Sequence, residues 1–406
     1  MIYVGIDWSD KFHTLCILDA DGTKLDVFDI PHGQPGFEIA HARISRHASC
    51  PQDVAVAIET KDSLFVDFLG ELGYTLYFLN PKQTSRFRDR HRMSQSKSDA
   101  FDAYVLADAV RADPHLFNAL SPLDEQSLKL RVLTRTRENL IQRKVSIQNE
   151  LTTALKRYFP VALELFDGLD HPGSVEFLTQ HPTYSQASTV SERRIASILK
   201  NAGFPERRAN DRARLVREKL QEAQPIPAPS VSSAYPLAVK SLLRQLQGIL
   251  REVETLENEI RDTYKDHPNK DLLESLPGVG TTLGPVLAAE IGADMSRFSS
   301  LRTLKAYAGT SPVTVKSGKH QAIRFRRACN RRVRRSLHLA SQTAIRCCGW
   351  ARELYDRLRA TGKTHGRALR AVGDQLIEML YVILTRRTPY DEAYHLHMQS
   401  LHGKTV

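Results

Sequence analysis

The first thirty residues read as three short strands in a row. That succession, followed by alternating helix and strand, narrows the fold more than any other feature of the chain. Met1-Ile-Tyr-Val-Gly-Ile-Asp7 is an apolar run that ends on an acid, and Asp19-Ala-Asp-Gly22 is a turn signal. The third run, Lys24-Leu-Asp-Val-Phe-Asp-Ile30, alternates at period two, as a half-exposed strand does. A helix is expected after Gly36. Val54 to Ile58 is continuously apolar, the pattern of a strand buried on both faces, and Glu59 ends it. Residues 62–72 read as a helix closed by Gly73, and Tyr74 to Leu79 as a strand stopped by Asn80-Pro81. A helical pattern then continues to about Ala112.

Three strands followed by helix–strand alternation describe an open sheet covered by helices. This is the order of the ribonuclease H-like fold. Such a topology would bring four acids together. Asp7 and Glu59 end strands, and Asp99 and Asp102, three apart, open a predicted helix and share one face of it. Asp10, Asp53, Asp62 and Asp108 fit less well, because none ends an apolar run or shares that face. Four gathered carboxylates repel one another unless a cation lies between them. Hard oxygen ligands suit Mg²⁺ or Mn²⁺, ions that bind and activate phosphate. The plainer alternative is a set of surface carboxylates and helix-start residues.

The chain has 406 residues, room for two or three domains, and carries a net charge of +11. Such a balance favours a polyanion, either nucleic acid or an acidic membrane surface. The apolar stretches are too short for a membrane span, and Asp7 and Asp10 interrupt any secretory signal. Nucleic acid is therefore the expected partner, with no membrane. The five cysteines form no CxxC pair, which fits a reducing cytoplasm. His395, His397 and His402 read as part of a solvated tail.

A long helical region follows. Leu130, Leu133, Leu140, Ile147, Leu151, Ala154 and Tyr158 keep a 3–4 spacing, with Arg137 and Lys144 at two seam positions. Leu242, Leu246, Ile249, Val253, Leu256 and Ile260 follow 4-3-4-3-4 without a break. These heptads fit a coiled-coil seam, or equally two amphipathic helices packed together within one chain. Residues 190–222 carry two shorter helical patterns. Gln224 to Pro236 is rich in Pro and Ser and reads as a linker.

From about Asp271 the pattern changes again. Leu273-Glu-Ser-Leu-Pro-Gly-Val-Gly280 followed by Thr281 to Glu290 reads as a helix-hairpin-helix. Gly278 and Gly280 would let backbone N–H groups approach phosphate, with simple chain reversal as the alternative. Ala306 to Lys319 reads as a loop of Gly, Ser and Thr. It leads into a basic helix with seven arginines between Arg324 and Arg335. Lys319, Arg324, Arg326, Arg327, Arg331, Arg332, Arg334 and Arg335 are the candidate nucleic-acid contacts. A serine in the loop could act as a nucleophile if activated, but local sequence does not separate Ser317 from Ser311.

Taken together, Gly5-Ile-Asp7, the strand ending at Glu59, Lys97-Ser-Asp-Ala-Phe-Asp102, Leu276-Pro-Gly-Val-Gly280, Ala308-Gly309 with Pro312, Ser317-Gly318 and the Arg-rich segment resemble the DEDD insertion-sequence transposases. That family includes pilin-gene invertases and bridge-RNA-guided recombinases. The resemblance covers nearly the whole chain. Two positions depart from it: Thr310 stands where an apolar residue is usual, and Cys329 where a glycine is common.

The resemblance implies a RuvC-like, RNase H-fold domain over 1–118 and a helical coiled-coil region over 119–265, with its linker near 222–236. A mainly α-helical transposase domain over 266–390 and a tail over 391–406 complete it. It also implies an Mg²⁺ (or Mn²⁺) site at Asp7, Glu59, Asp99 and Asp102, and a nucleophile at Ser317. Cleavage and rejoining of donor and target DNA would pass through a phosphoserine link. A noncoding guide RNA, a dimer or tetramer joined by the heptad seams, and a location on the bacterial nucleoid are further expectations. The alternative is a RuvC-like junction nuclease that uses water.

Overall fold

A computed structural model describes the chain outside residues 61–62, 92–97, 118, 120–122, 223–228, 318–319 and 402–406. At 229–232, 317, 320 and 398–401 it describes the backbone alone. The chain folds as two units, Met1–Pro122 and Leu123–Val406.

The first unit is built on a five-stranded sheet in the order β3-β2-β1-β4-β5. Strands β1 (Ile2–Trp8), β2 (Phe12–Leu18) and β3 (Lys24–Pro31) form an antiparallel meander. Strand β4 (Val54–Ile58) joins β1 in parallel, and β5 (Thr75–Phe78) joins β4 in parallel. The helices are α1 (Gln34–Ile44), α2 (Leu64–Glu71), α3 (Pro81–His91) and α4 (Asp99–Ala112). Strand alternation decides which helix covers which face. Val4, Ile6, Val54, Val56 and Ile58 point to one side and bury against Phe37, Ile44, Phe65 and Leu69 of α1 and α2. Gly5, Ala55 and Ala57 point to the other. There Ala55 and Ala57 pack with Leu106 and Ala109 of α4. A Cβ on Gly5 would lie 1.9 Å from the carbonyl oxygen of Ala103, so α4 can rest on β1 only where the strand carries no side chain.

In the second unit, α5 (Glu125–Tyr158) leads through α6 (Pro172–Gln180), α7 (Tyr184–Ser188), α8 (Glu192–Asn201) and α9 (Glu206–Lys219) to α10 (Pro229–Lys265). Helices α5 and α10 lie antiparallel. Lys129 pairs with Glu259 at 2.5 Å, Arg137 pairs with Glu257, and Leu140, Arg143 and Ile147 face Gln245, Gly248 and Ile249. Of the two readings of the heptads, the intrachain pair is the one that forms. Ile147 and Leu151 share a core with Leu243 and Leu246, and Leu130 shares one with Ile260. Leu133, Leu140, Leu242, Ile249 and Leu256 remain half-buried at the margin of this pairing. Arg137 and Lys144 tolerate seam positions by reaching sideways, Arg137 to Glu257 and Lys144 to Asp170 at 2.9 Å.

Two expectations are corrected. The Pro/Ser-rich stretch is helical from Pro229 on, with Pro236 inside α10. Proline suits a first turn, and tertiary contact overrides composition at Tyr235, which packs 5.9 Å from Tyr158. The C-terminal segment is a helix rather than an irregular tail, and of 391–397 all but His395 are exposed. It forms α17 (Glu392–Leu401), whose His395 packs on Trp350 and Tyr390. Burial lowers the pKa of that imidazole. His402 lies outside the described residues.

The rest of the unit comprises α11 (Lys270–Ser275), α12 (Gly284–Ile291), α13 (Leu301–Ala308), the hairpin β6 (Val313–Ser317) and β7 (His320–Arg324), α14 (Arg331–Cys347), α15 (Gly349–Ala360) and α16 (His365–Arg386). Among the described residues no helix is long and apolar enough to cross a membrane. All five cysteines are free.

Candidate acidic edge and basic surface

The acidic edge follows from the parallel pairing of β1 and β4. Ile6 pairs with Ile58, so Asp7 and Glu59 are the next residues along two adjacent strands. Each lies two residues past a small one, Gly5 or Ala57, and strand alternation sets both on the face that α4 covers. The direction of α4 places the other two acids. Leu18 pairs with Tyr3, so the turn after β2 sits beside the start of β1. Arg111, near the end of α4, reaches that turn, with Nη1 3.4 Å from the Ala20 carbonyl. Helix α4 therefore runs antiparallel to β1, and its first turn, Asp99 and Asp102, lies toward the edge that holds Asp7 and Glu59. Ser98 caps the helix, its hydroxyl accepting from the Phe101 N–H.

These placements do not close into a cluster. Among the described residues no three His, Cys, Asp or Glu side chains come near enough to hold a metal ion. Asp99 is exposed, Asp7 and Glu59 are half-buried, and Asp102 is 3% exposed. Asp102 Oδ1 is 2.6 Å from Arg88 Nη2 of α3, in ionic contact but off the hydrogen-bond line. Arg88 is the local counter-ion of Asp102. In donor chemistry the four oxygen-bearing groups fit a divalent cation. Asp108 is held apart by Arg111 at 2.6 Å and His91 at 2.9 Å. Behind the edge, His13 pairs in register with Trp8 and is fully buried. Its Nε2 is 2.9 Å from His32 Nδ1, and its ring stacks on Phe65. Burial, then the neighbouring His32, lowers its pKa to about 4.

The basic surface differs from its sequence reading in three ways. First, Gly278 packs on α14 as well as turning the chain, and it stays partly exposed. It has φ 78°, and a Cβ there would lie 2.2 Å from the Ala340 carbonyl of α14, so helix packing accounts for this glycine. A Cβ on Gly280 would meet nothing. Second, the Gly/Ser/Thr stretch is not a loop. It is the end of α13, a left-handed C-cap at Gly309, and the β6–β7 hairpin. Val313, Thr314, Val315 and Ile323 supply the β-branched alternation, and Ser317-Gly318 is the turn signal that composition obscured. Ser317 ends β6 and pairs in register with His320. Gly318 and Lys319 lie outside the described residues, as does Lys97. Ser311 is held at its carbonyl by Arg326 Nε at 3.0 Å.

Third, the seven arginines do not share one helix. Arg324 ends β7, Arg326 and Arg327 lie between elements, and α14 begins at Arg331. Asn330 starts that helix, its side-chain oxygen accepting from the N–H groups of Arg332 and Val333. Arg332 and Arg335 both reach Glu138 of α5, at 2.7 and 3.2 Å. Arg324, Arg327 and Arg331 are exposed and make no ion pair with any described residue.

Sequence reasoning missed the residue that fixes this surface. Glu290 of α12 is fully buried. Arg135 donates to both its oxygens, at 3.0 and 3.1 Å, and Asn330 Nδ2 donates at 2.7 Å. Tyr307 O–H donates to the Glu290 carbonyl at 2.9 Å. Burial pushes the Glu290 carboxyl up, but the Arg135 and Asn330 hydrogen bonds and the Arg135 and Arg131 charges together hold it below its ordinary value. The carboxylate thus ties α5, α12 and the start of α14 together, and the carbonyl of the same residue holds α13. The carboxylate's partners are 155 and 40 residues away in sequence, so no local pattern announces it.

Comparison with known proteins gives matches to both units. A transposase family model of the DEDD IS110 type matches residues 4–160, and the model of the transposase IS116/IS110/IS902 family matches residues 270–356. The mini-circle putative transposase for IS117 of Streptomyces coelicolor is 31% identical over 396 residues, covering 96% of this chain and 95% of its own. The IS116 uncharacterized 44.8 kDa protein of Streptomyces clavuligerus is 27% identical over 395 residues, covering 94% of each chain. The putative transposase y4uE of Sinorhizobium fredii is 34% identical over 200 residues, 49% of this chain and 56% of its own.

Proposed function

The chain belongs to the IS110 family of DEDD transposases, and from that premise we propose that it cuts and rejoins DNA through a phosphoserine link, with a divalent cation held at Asp7, Glu59, Asp99 and Asp102. The first unit is read as an RNase H-like, RuvC-like domain. The strand order, with its antiparallel meander and two parallel additions, supports that reading. The α5–α10 pair is read as a two-stranded coiled coil within the arm. Residues 119–265 and 266–390 are read as the arm and the transposase domain.

One observation carries the proposal: Asp7 and Glu59 continue two adjacent strands beyond the residues on which α4 rests, toward the first turn of α4. A cation bound there, Mg²⁺ or Mn²⁺, would polarise the scissile phosphate and stabilise charge on its oxygens. Ser317 attacks phosphorus through its hydroxyl oxygen. The P–O bond to one deoxyribose breaks as the serine ester forms, and the departing oxygen takes a proton. A deoxyribose hydroxyl from the partner strand then reverses the step. The ester conserves the phosphodiester energy, so no nucleotide triphosphate is consumed. Arg324, Arg327 and Arg331, all exposed, are read as contacts to the DNA backbone. Guidance by a noncoding RNA, assembly as a dimer or tetramer, and a nucleoid location complete the proposal, supported by the family and by the basic charge.

The test is recovery of protein–DNA adduct after denaturation of a cleavage reaction. The wild-type chain is expected to give a protease-sensitive adduct. Ser317→Ala should give none, and Asp7→Ala should lower adduct formation by at least about a hundredfold. Free 5′-phosphate ends without adduct would instead establish the water-using junction nuclease.

A further inference from the structure

Phe325 is the first residue after β7. It is 46% exposed and belongs to no apolar core. Two cations cover it: the Arg334 guanidinium lies 4.9 Å from its ring centroid and that of Arg370, from α16, lies 5.3 Å away. The ring and both arginines border a cavity of about 410 Å³ between the foot of the hairpin, α14 and α16. Arg331, Arg335 and His338 also line it. That volume falls within the range of small-molecule sites, roughly 300–1,000 Å³. The one acid on its wall, Glu138, is already shared between Arg332 and Arg335. A second wall residue, Thr310, has a hydroxyl shielded from solvent and without a hydrogen-bond partner.

A flat apolar ring, flat guanidinium groups and surplus positive charge match one chemistry, a planar aromatic carrying a phosphate. Unstacked bases sit on aromatic rings and guanidinium planes, and arginines bind the adjoining phosphate. We propose that this cavity holds one unstacked nucleotide of a DNA strand, its base on Phe325 and the Arg334 and Arg370 planes, its phosphate at Arg331 and Arg335. The occupant is a DNA strand because the chain is a DNA transposase and the cavity lies at the foot of the hairpin that carries Ser317. The proposal deepens the reading of this surface as a DNA contact and rests on it. Its consequence is positional: a base drawn out of the duplex here would hold the strand in register with the hairpin.

The test uses the full chain and a thymidine oligonucleotide containing one 2-aminopurine, alongside the matching duplex and an RNA of the same sequence, all at one fixed salt concentration. Phe325→Ala should weaken single-strand binding by roughly tenfold and abolish quenching of the 2-aminopurine. It should leave duplex affinity and the salt dependence unchanged, because no charge is removed. Phe325→Trp should retain both signals. Phe325 lies outside the core, so an unchanged melting temperature shows that the variant is folded. An unchanged single-strand affinity, or an equal loss for duplex and single strand, would overturn the pocket. An RNA preference that depends on Phe325 would overturn the DNA assignment, and displacement by micromolar free dAMP would overturn the strand in favour of a free nucleotide. If Arg331→Gln alters binding to no DNA at all, the failure lies in the underlying reading of the surface.

Discussion

Two buried carboxylates, one in each unit, meet their charge in opposite ways. Glu290 is enclosed by a two-pronged arginine, an asparagine amide and a second guanidinium, with both oxygens engaged. Asp102 is nearly as deep, yet its Oδ1 has only an off-line ionic contact with Arg88, whose own Nε has no partner. Buried polar groups are normally satisfied, and an exception calls for a reason. A fully satisfied carboxylate holds helices together. An under-satisfied one at the edge of a sheet is where the proposed cation site would draw an oxygen. On the proposed reading, the difference separates a group that maintains shape from one that would bind the ion.

The largest expected effect tests that separation directly. Glu290→Gln leaves the half-buried guanidinium groups of Arg131 and Arg135 beside a neutral amide and should destabilise the second unit by about 3 kcal/mol in denaturant unfolding. Asp102→Asn should cost less, because Asp102 Oδ1 has one ionic contact where Glu290 accepts three side-chain hydrogen bonds. Equal losses would break the distinction. The pH dependence has a definite sign. The folded Glu290 carboxyl is held below its unfolded value, so its contribution is complete above the ordinary glutamate range and is lost as pH falls through the folded value. In Glu290→Gln that acid-side loss should be reduced.

His13 gives the next largest effect, and in the first unit. Its pKa falls from 6.5 to about 4 on folding. Below pH 6.5 the unfolded chain takes up a proton that the folded chain refuses, so stability declines as pH falls from 6.5 to about 4 and is complete above that window. The integrated loss is on the order of 3 kcal/mol. His13→Phe, which keeps a ring against Phe37 and Phe65, should flatten the slope across that window in urea unfolding followed by signals of the first unit. A slope retained in the variant would assign it to another group.

How far the sequence could be read follows the same division between local and distant causes. The sheet was legible because strand alternation and turn residues are local, and Asp7 and Glu59 were legible because each ends such a run. The track of Gly5, Ala55 and Ala57, which aims both acids at the α4 face, was present in the sequence but is meaningful only once the strands are paired. The segment from Ala306 to Arg335 was misread for a different reason. Its charge identified a polyanionic partner, but net charge carries no period. The alternation of Val313, Val315 and Ile323 was outweighed by the count of Gly, Ser, Thr and Arg. Pro229 and Pro236 misled because Tyr235 finds Tyr158 across the arm. Glu290 was illegible because its partners belong to other elements.

The smallest expected effect bears most directly on the acidic edge. Arg88 sits on a helix with Lys82, Arg86 and Arg90, and its guanidinium occupies the position at Asp102 Oδ1 that a cation would need. At the proposed cation site, arginine and a divalent ion would compete for one oxygen. A DNA phosphate, which binds guanidinium well, would draw Arg88 away and leave Asp102 to the ion. Arg88→Gln removes the competitor. In the DNA-free protein, Mn²⁺ bound per chain should then tighten several-fold, read by the electron paramagnetic resonance of free Mn²⁺. Added Asp102→Asn should cancel the gain, since the freed oxygen is its source. An Arg88→Gln protein that binds Mn²⁺ no better than the wild type would mean that the ion pair is not what keeps the acids apart, and Asp102 would then belong with Glu290 as part of the scaffold.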